Sequence, residues 1–184
     1  MLGKMAQGSD MLVFLLLAAL AQTPWEAGLR FTHDPPRRGG APDGSIHVKG
    51  EKVRIEESTP GGTLVILYDG AHLRLLRPER KTWTELPKEQ APYATVPPAS
   101  LEGLRKIGRG SAGGKPCGIW EARRKTPLGE VRQRVWVADD AKEYVYLRAL
   151  TRTARGASLF DVLDPRRVPQ PDWLFEVPKG YVKN

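Results

Sequence analysis

The amino-acid sequence predicts a mainly β domain of the α+β class: an antiparallel sheet with one or two helical segments over one face. Three observations carry that prediction. Pro and Gly divide the chain into short extended runs. The stretch from Val65 to Leu86, VILYDGAHLRLLRPERKTWTEL, reads as three strands joined by two turns. The segment after Asp140 carries helical spacing instead of strand alternation.

The chain opens with an apolar run, Met11 to Ala21 (MLVFLLLAALA), preceded by Lys4 and closed by the small-x-small pattern Ala19-Leu20-Ala21. This is the layout of a signal peptide, residues 1–21, with cleavage near Ala21 and translation starting at Met1, Met5 or Met11. The run is shorter than the roughly 18 to 20 residues that a spanning helix needs. Gln22, not Cys, follows Ala21, so no lipid-modified cysteine follows the cleavage point. The expected product is soluble and periplasmic or secreted.

Residues 22–44 are expected to hold one strand, Gly28 to His33, and the Pro/Gly-rich loop DPPRRGGAPDG; residues 45–184 form the rest of the same domain. Further strands are predicted over Ser45 to Glu57, Thr63 to Tyr68, His72 to Arg77, Lys81 to Leu86, Cys117 to Arg124, Glu130 to Ala138 and Leu174 to Lys183. Asp69-Gly70 supplies the positive-φ residues of a tight hairpin, and Arg77-Pro78-Glu79-Arg80 a second turn. Thr63 to Tyr68 is apolar on both faces and should be central or covered on both sides.

Asp140-Ala141-Lys142-Glu143 has the form of a capping box. On a helix starting there, Tyr146, Leu147, Leu150 and Ala154 share one side, opposite Arg148, Arg152 and Arg155. Ser100 to Ile107 is expected to form a second, shorter helix.

The motifs IHVKGEKVRIEES, ILYDG followed by LLRPERKTWTEL, CGIWEARR followed by VWVADD, and LFEVPKGY together resemble bacterial periplasmic domains of unknown function related to LolA-type outer-membrane lipoprotein carriers. The resemblance runs from about Ser45 to Tyr181. It implies a strongly curved sheet, a half-open barrel, with helices on its concave side and an apolar cavity for acyl chains. No acyl-binding arginine or docking loop of the carriers maps onto this chain.

The residues themselves lead to the same expectation. A curved sheet under the Tyr146 segment would form an apolar groove, where each buried CH₂ of an alkyl chain contributes roughly 0.8 kcal/mol. Trp83, Trp120 and Trp136 are candidate walls, with Tyr146, Leu147 and Leu150 as the lid; ordinary core packing is the competing reading. Gly118 and Ala122 flank Trp120 at alternate positions and leave room for its indole along the strand. Arg148, Arg152 and Arg155 are the candidate headgroup or partner patch.

Other signals carry no chemistry. Gly108 to Gly113 (GRGSAG) has the letters of a dinucleotide fingerprint in the wrong context, with a strand after it instead of before, and is expected to be a turn. His33, His47 and His72 lie on separate segments without metal-ligand spacing. Cys117, the single cysteine, reads as a small buried residue. No catalytic couple and no cofactor motif is legible, so the expected function is non-enzymatic: an envelope protein, monomeric, that binds or carries a lipid or lipidated protein. The net charge of +8 points to an inner- or outer-membrane surface before nucleic acid. The alternative is a filled interaction module that docks another envelope protein.

Overall fold

The computed structural model describes residues 24–34, 43–86, 101–126, 129–140, 145–154 and 156–184. The predicted signal peptide, Ala141 to Glu143 of the capping box, and Arg155 lie outside them. Twelve strands form one open sheet in the order β12-β6-β5-β4-β3-β2-β1-β11-β10-β9-β8-β7. Two meanders compose it. The first comprises β1 (Trp25–Asp34), β2 (Asp43–Lys49), β3 (Lys52–Thr59), β4 (Gly62–Tyr68), β5 (Leu73–Arg77) and β6 (Thr82–Leu86). The second comprises β7 (Arg105–Ala112), β8 (Lys115–Thr126), β9 (Gly129–Ala138), β10 (Tyr146–Thr153) and β11 (Gly156–Arg167). Antiparallel pairing of β1 with β11 joins them. β12 (Val182–Lys183) adds a short parallel strand at β6.

Alternation gives the sheet a core face and an outer face. Trp25, Leu29 and Phe31 of β1, Ile46 and Val48 of β2, Ile55 of β3 and Phe160 of β11 are all nearly inaccessible, and they form one cluster with Val135, Tyr146 and Ala149. Leu101 and Leu104 pack against this cluster. A twisted sheet of more than about ten strands rarely stays flat, so the strand number itself calls for coiling.

β4 is apolar on both sides because both sides are covered, as expected. Ile66 enters the core cluster, while Val65 and Leu67 join Leu76 on the outer face, where Trp83, Val177 and Tyr181 pack on them. Val177 and Tyr181 belong to a C-terminal strap. It leaves β11, bonds Pro24 O through Val168 N, turns at a 3-10 segment (Asp172–Phe175), and ends on β6.

The predicted helices are corrected. Among the described residues there is no α-helix, only the 3-10 turns Pro78–Arg80 and Asp172–Phe175. The Tyr146 segment is strand β10, held between β9 and β11. Its helical spacing arises from a bulge between Tyr146 and Arg148, which places Tyr146 and Leu150 on opposite faces although they are four apart. Leu101 to Leu104 is a turn, closed by Leu104 N bonding Leu101 O, and Arg105 to Ile107 already belong to β7.

Smaller corrections follow the same logic. Ser45 to Glu57 is two strands, because Gly50 at φ 59° turns the chain between them. GRGSAG is edge strand more than turn; it pairs with β8, and the reversal comes at Gly113-Gly114. Only Val182 and Lys183 of the predicted C-terminal strand pair as strand.

Candidate functional site

Aromatic side chains concentrate where β1, β10 and β11 meet on the core face. Phe31 and Phe160 are cross-strand partners with ring centroids 5.8 Å apart. Tyr146 lies 6.1 Å from Phe160 and packs edge-on against Trp25 at 5.4 Å. Trp25 Nε1 is buried with no hydrogen-bond partner among the described residues.

Beside Trp25 a half-open cleft of about 180 Å³ lies at the end of the second meander. Its apolar lining is Trp25, Ala138, Val145, Leu147 and Pro165. Lys115, Asp140, Arg166 and Arg167 add charge to the same lining. Lys115 Nζ stands 3.7 Å from Asp140, and Arg166 donates to Glu26 Oε1 at 3.2 Å. Pockets for drug-sized ligands run to roughly 300–1,000 Å³, so this cleft suits a short apolar segment or a single polar head. Basic side chains beside an apolar wall are the arrangement that an anionic amphiphile requires.

The six predicted wall and lid residues do not line one groove. Tyr146 and Trp120 are on the core face. Trp120 lies along its strand as expected, so near Gly118 that a Cβ there would sit 3.1 Å from the indole nitrogen. Trp83 is on the outer face beneath the strap, with Lys183 Nζ 5.0 Å from its ring. Trp136 and Leu147 form an outer-face cluster with Ala112, Cys117 and Ala138. Leu150 stands on the outer face, paired with Leu159 and Arg134. Leu147 also reaches the cleft, and is the one predicted lid residue in its lining. Cys117 is fully buried as expected, and burial pushes its thiol above the usual range.

Of the predicted basic patch, Arg148 pairs with Asp161 and lies 6.0 Å from the Trp136 ring. Arg152, four residues further along the same face, is exposed. The charges beside the cleft, Lys115, Arg166 and Arg167, do not form a recognisable binding set in the sequence. Arg166-Arg167 stand out only as a basic pair, and nothing local in the sequence brings them to Lys115.

An open sheet built from two meanders joined by their outermost strands defines the class of fold. No family model and no curated protein matches the chain. Its fold is shared with an uncharacterized conserved protein from Thermus thermophilus, at 12% identity and a TM-score of 0.56, over 96% of this chain and 100% of that one. The chain is more distantly similar to LprF from Mycobacterium bovis, at 9% identity and a TM-score of 0.39 over 85% and 90% of the two chains. A proposed outer membrane lipoprotein-sorting protein domain from Vibrio parahaemolyticus stands at 10% identity and a TM-score of 0.44, over 90% and 95%. At these identities the likeness is one of fold.

Proposed function

We propose that the protein is an exported, non-enzymatic binder or carrier of an amphiphile, a lipid or a lipidated protein, in the cell envelope. The observation that carries this reading is the cleft beside Trp25, where an apolar wall and the cations Lys115, Arg166 and Arg167 share one small space. An alkyl segment would lie against Trp25, Val145 and Leu147, and its anionic head would meet the basic side chains. Coiling of the sheet into a half-open barrel would bring the core-face aromatics around the rest of the chain. The apolar run from Met11 to Ala21 supports export, and the protein would act as a monomer.

The test is uptake of a fluorescent fatty acid and of its uncharged alcohol analogue. Lys115 and Arg166 are more than half exposed, so a Lys115→Glu/Arg166→Glu variant should keep the fold. It should lose the acid probe by about 10-fold or more while retaining the alcohol. Native mass spectrometry of protein taken gently from its own envelope should show an adduct. Equal uptake of the acid by the variant, together with a bare mass, would refute the proposal.

A second reading has its own support. Ile46, Ile55, Leu73, Cys117 and Phe160 are 0% exposed, the packing of a filled interior. On that reading the protein docks an envelope partner and carries nothing, and neither probe would bind.

A further inference from the structure

The chain's positive charge is unevenly placed. Between residues 101 and 167 stand fifteen Lys and Arg against eight Asp and Glu, seven of the eight net charges; residues 24–86 hold ten against nine. The outer faces of the two meanders differ accordingly. That of the first is apolar at Val65, Leu67 and Leu76 and is packed by the strap.

On the outer face of the second, the register sets Arg123 of β8 opposite Arg132 of β9, and Arg132 opposite Arg152 of β10. Three arginines therefore stand in one row across three strands, at the strand spacing of about 4.8 Å. Like charges directly opposite destabilise a sheet, so this row works against the fold that carries it. The nearby carboxylates neutralise it only in part. Glu121 is buried and shared between Arg123 and Arg134, Glu130 pairs with Arg132, and Arg152 has no acidic partner among the described residues. The neighbouring rows present half-buried Leu150, Leu159, Trp136 and Ile119 between Arg134 and Arg148.

From this we infer that the outer face of β8–β10 docks onto an anionic lipid surface through the row Arg123, Arg132 and Arg152. The cations are spread over a sheet face instead of being gathered around a cleft, which suits a broad, multiply charged surface. Arginine and tryptophan side chains interleaved with leucine also suit the boundary between headgroups and acyl chains. The inference stands apart from the amphiphile reading, because none of the three arginines lines the cleft.

The test is co-sedimentation of the full chain with vesicles of phosphatidylcholine plus phosphatidylglycerol, against phosphatidylcholine alone. Wild-type protein should bind only the anionic vesicles, and less at high salt. Each near-surface cation contributes roughly a fivefold gain, so Arg123→Gln/Arg132→Gln/Arg152→Gln should bind about 100-fold more weakly. The melting temperature of this variant reports its folding; relief of the like-charge row should offset part of what is lost with the Arg123–Glu121 pair, so that the variant melts a few degrees lower at most and stays folded. Arg77→Gln/Arg80→Gln/Lys81→Gln removes the same charge from the first meander and should bind like wild type. Equal loss in this control, binding to neutral vesicles, or no binding by wild type would each overturn the inference. So would capture of polyglutamate, but not vesicles, by the arginine row, which would mark an acidic protein as the partner. Failure of wild-type protein to bind anionic vesicles while it still takes up the acid probe would defeat this inference alone.

Discussion

Arg134 Nε donates to Glu121 Oε2 at 2.6 Å across the β8–β9 pair, and the carboxylate that receives it is 3% exposed. Burial opposes ionisation of Glu121 most strongly, but the bonds from Arg134 and Arg123 outweigh it and hold the carboxyl below its ordinary range. Replacing Arg134 by Met should therefore leave a buried charge with one partner, lower stability by about 1 kcal/mol, and raise the Glu121 titration. A carbon-detected titration of Glu121 in both proteins checks this. An unmoved midpoint would show that Arg123 alone suffices.

Asp69 predicts an acid-sensitive hairpin. Its Oδ1 accepts the amides of Ala71 at 3.0 Å and His72 at 2.7 Å, and Arg74 Nη1 bonds Oδ2 at 2.9 Å. Burial alone would raise its pKa from 3.8; these partners outweigh it and bring the carboxyl down to about 2. A depressed carboxylate stabilises the fold above the unfolded pKa, and that contribution fades as pH falls through the folded one. The advantage of wild type over Asp69→Asn should be about 1–2 kcal/mol near neutrality and should vanish between about pH 4 and pH 2. Urea unfolding of both proteins across that range measures it; a constant difference would mean that the charge is irrelevant.

Local chemistry was legible wherever a residue and its partner are neighbours in sequence. The place of the Asp69-Gly70 turn, the doubly covered strand Thr63 to Tyr68, and the fit of Trp120 over Gly118 all belong to this group, although only Gly70 of the expected pair takes a positive φ and the turn runs over four residues, Asp69 to His72. Strand β10 was not, because one inserted residue at Leu147 gives a strand the spacing of a helix. The strap and the cleft were not legible either. They depend on pairing β1 with β11 and on Lys115 meeting residues some fifty positions away, which local patterning does not encode. The arginine row depends on register: Arg152 stands out in the sequence as part of a basic patch, but its alignment with Arg123 and Arg132 follows only from the pairing of β8, β9 and β10.

Gly62 predicts a strain effect at the β3–β4 turn. At φ 102°, a Cβ on Gly62 would lie 2.6 Å from the Glu79 carboxyl carbon, and Glu79 Oε1 accepts the Thr63 amide at 2.6 Å. Gly62→Ala should cost about 1 kcal/mol or more for the backbone alone and should displace Glu79. Adding Glu79→Ala relieves the clash but not the strained φ, so the double variant should recover only part of the loss. Thermal melts of the two variants decide; full recovery would mean that the backbone tolerates alanine.

The strap predicts a separable unit of stability. Val182 N bonds Lys81 O and Asn184 N bonds Trp83 O, both at 2.9 Å, while Val177 and Tyr181 pack on the apolar outer face of β4 and β5. These are edge and surface contacts, so the strap should open without the sheet. Val177→Ala/Tyr181→Ala removes its apolar anchors, and the amides of Val182 and Asn184 should exchange about 10- to 100-fold faster. The amides of Phe31 and Phe160, at the β1–β11 junction, should keep their rates. Hydrogen exchange read residue by residue separates the two. Equal acceleration at both places would mean that the strap and the sheet melt as one, and that the outer face of the first meander is never uncovered on its own.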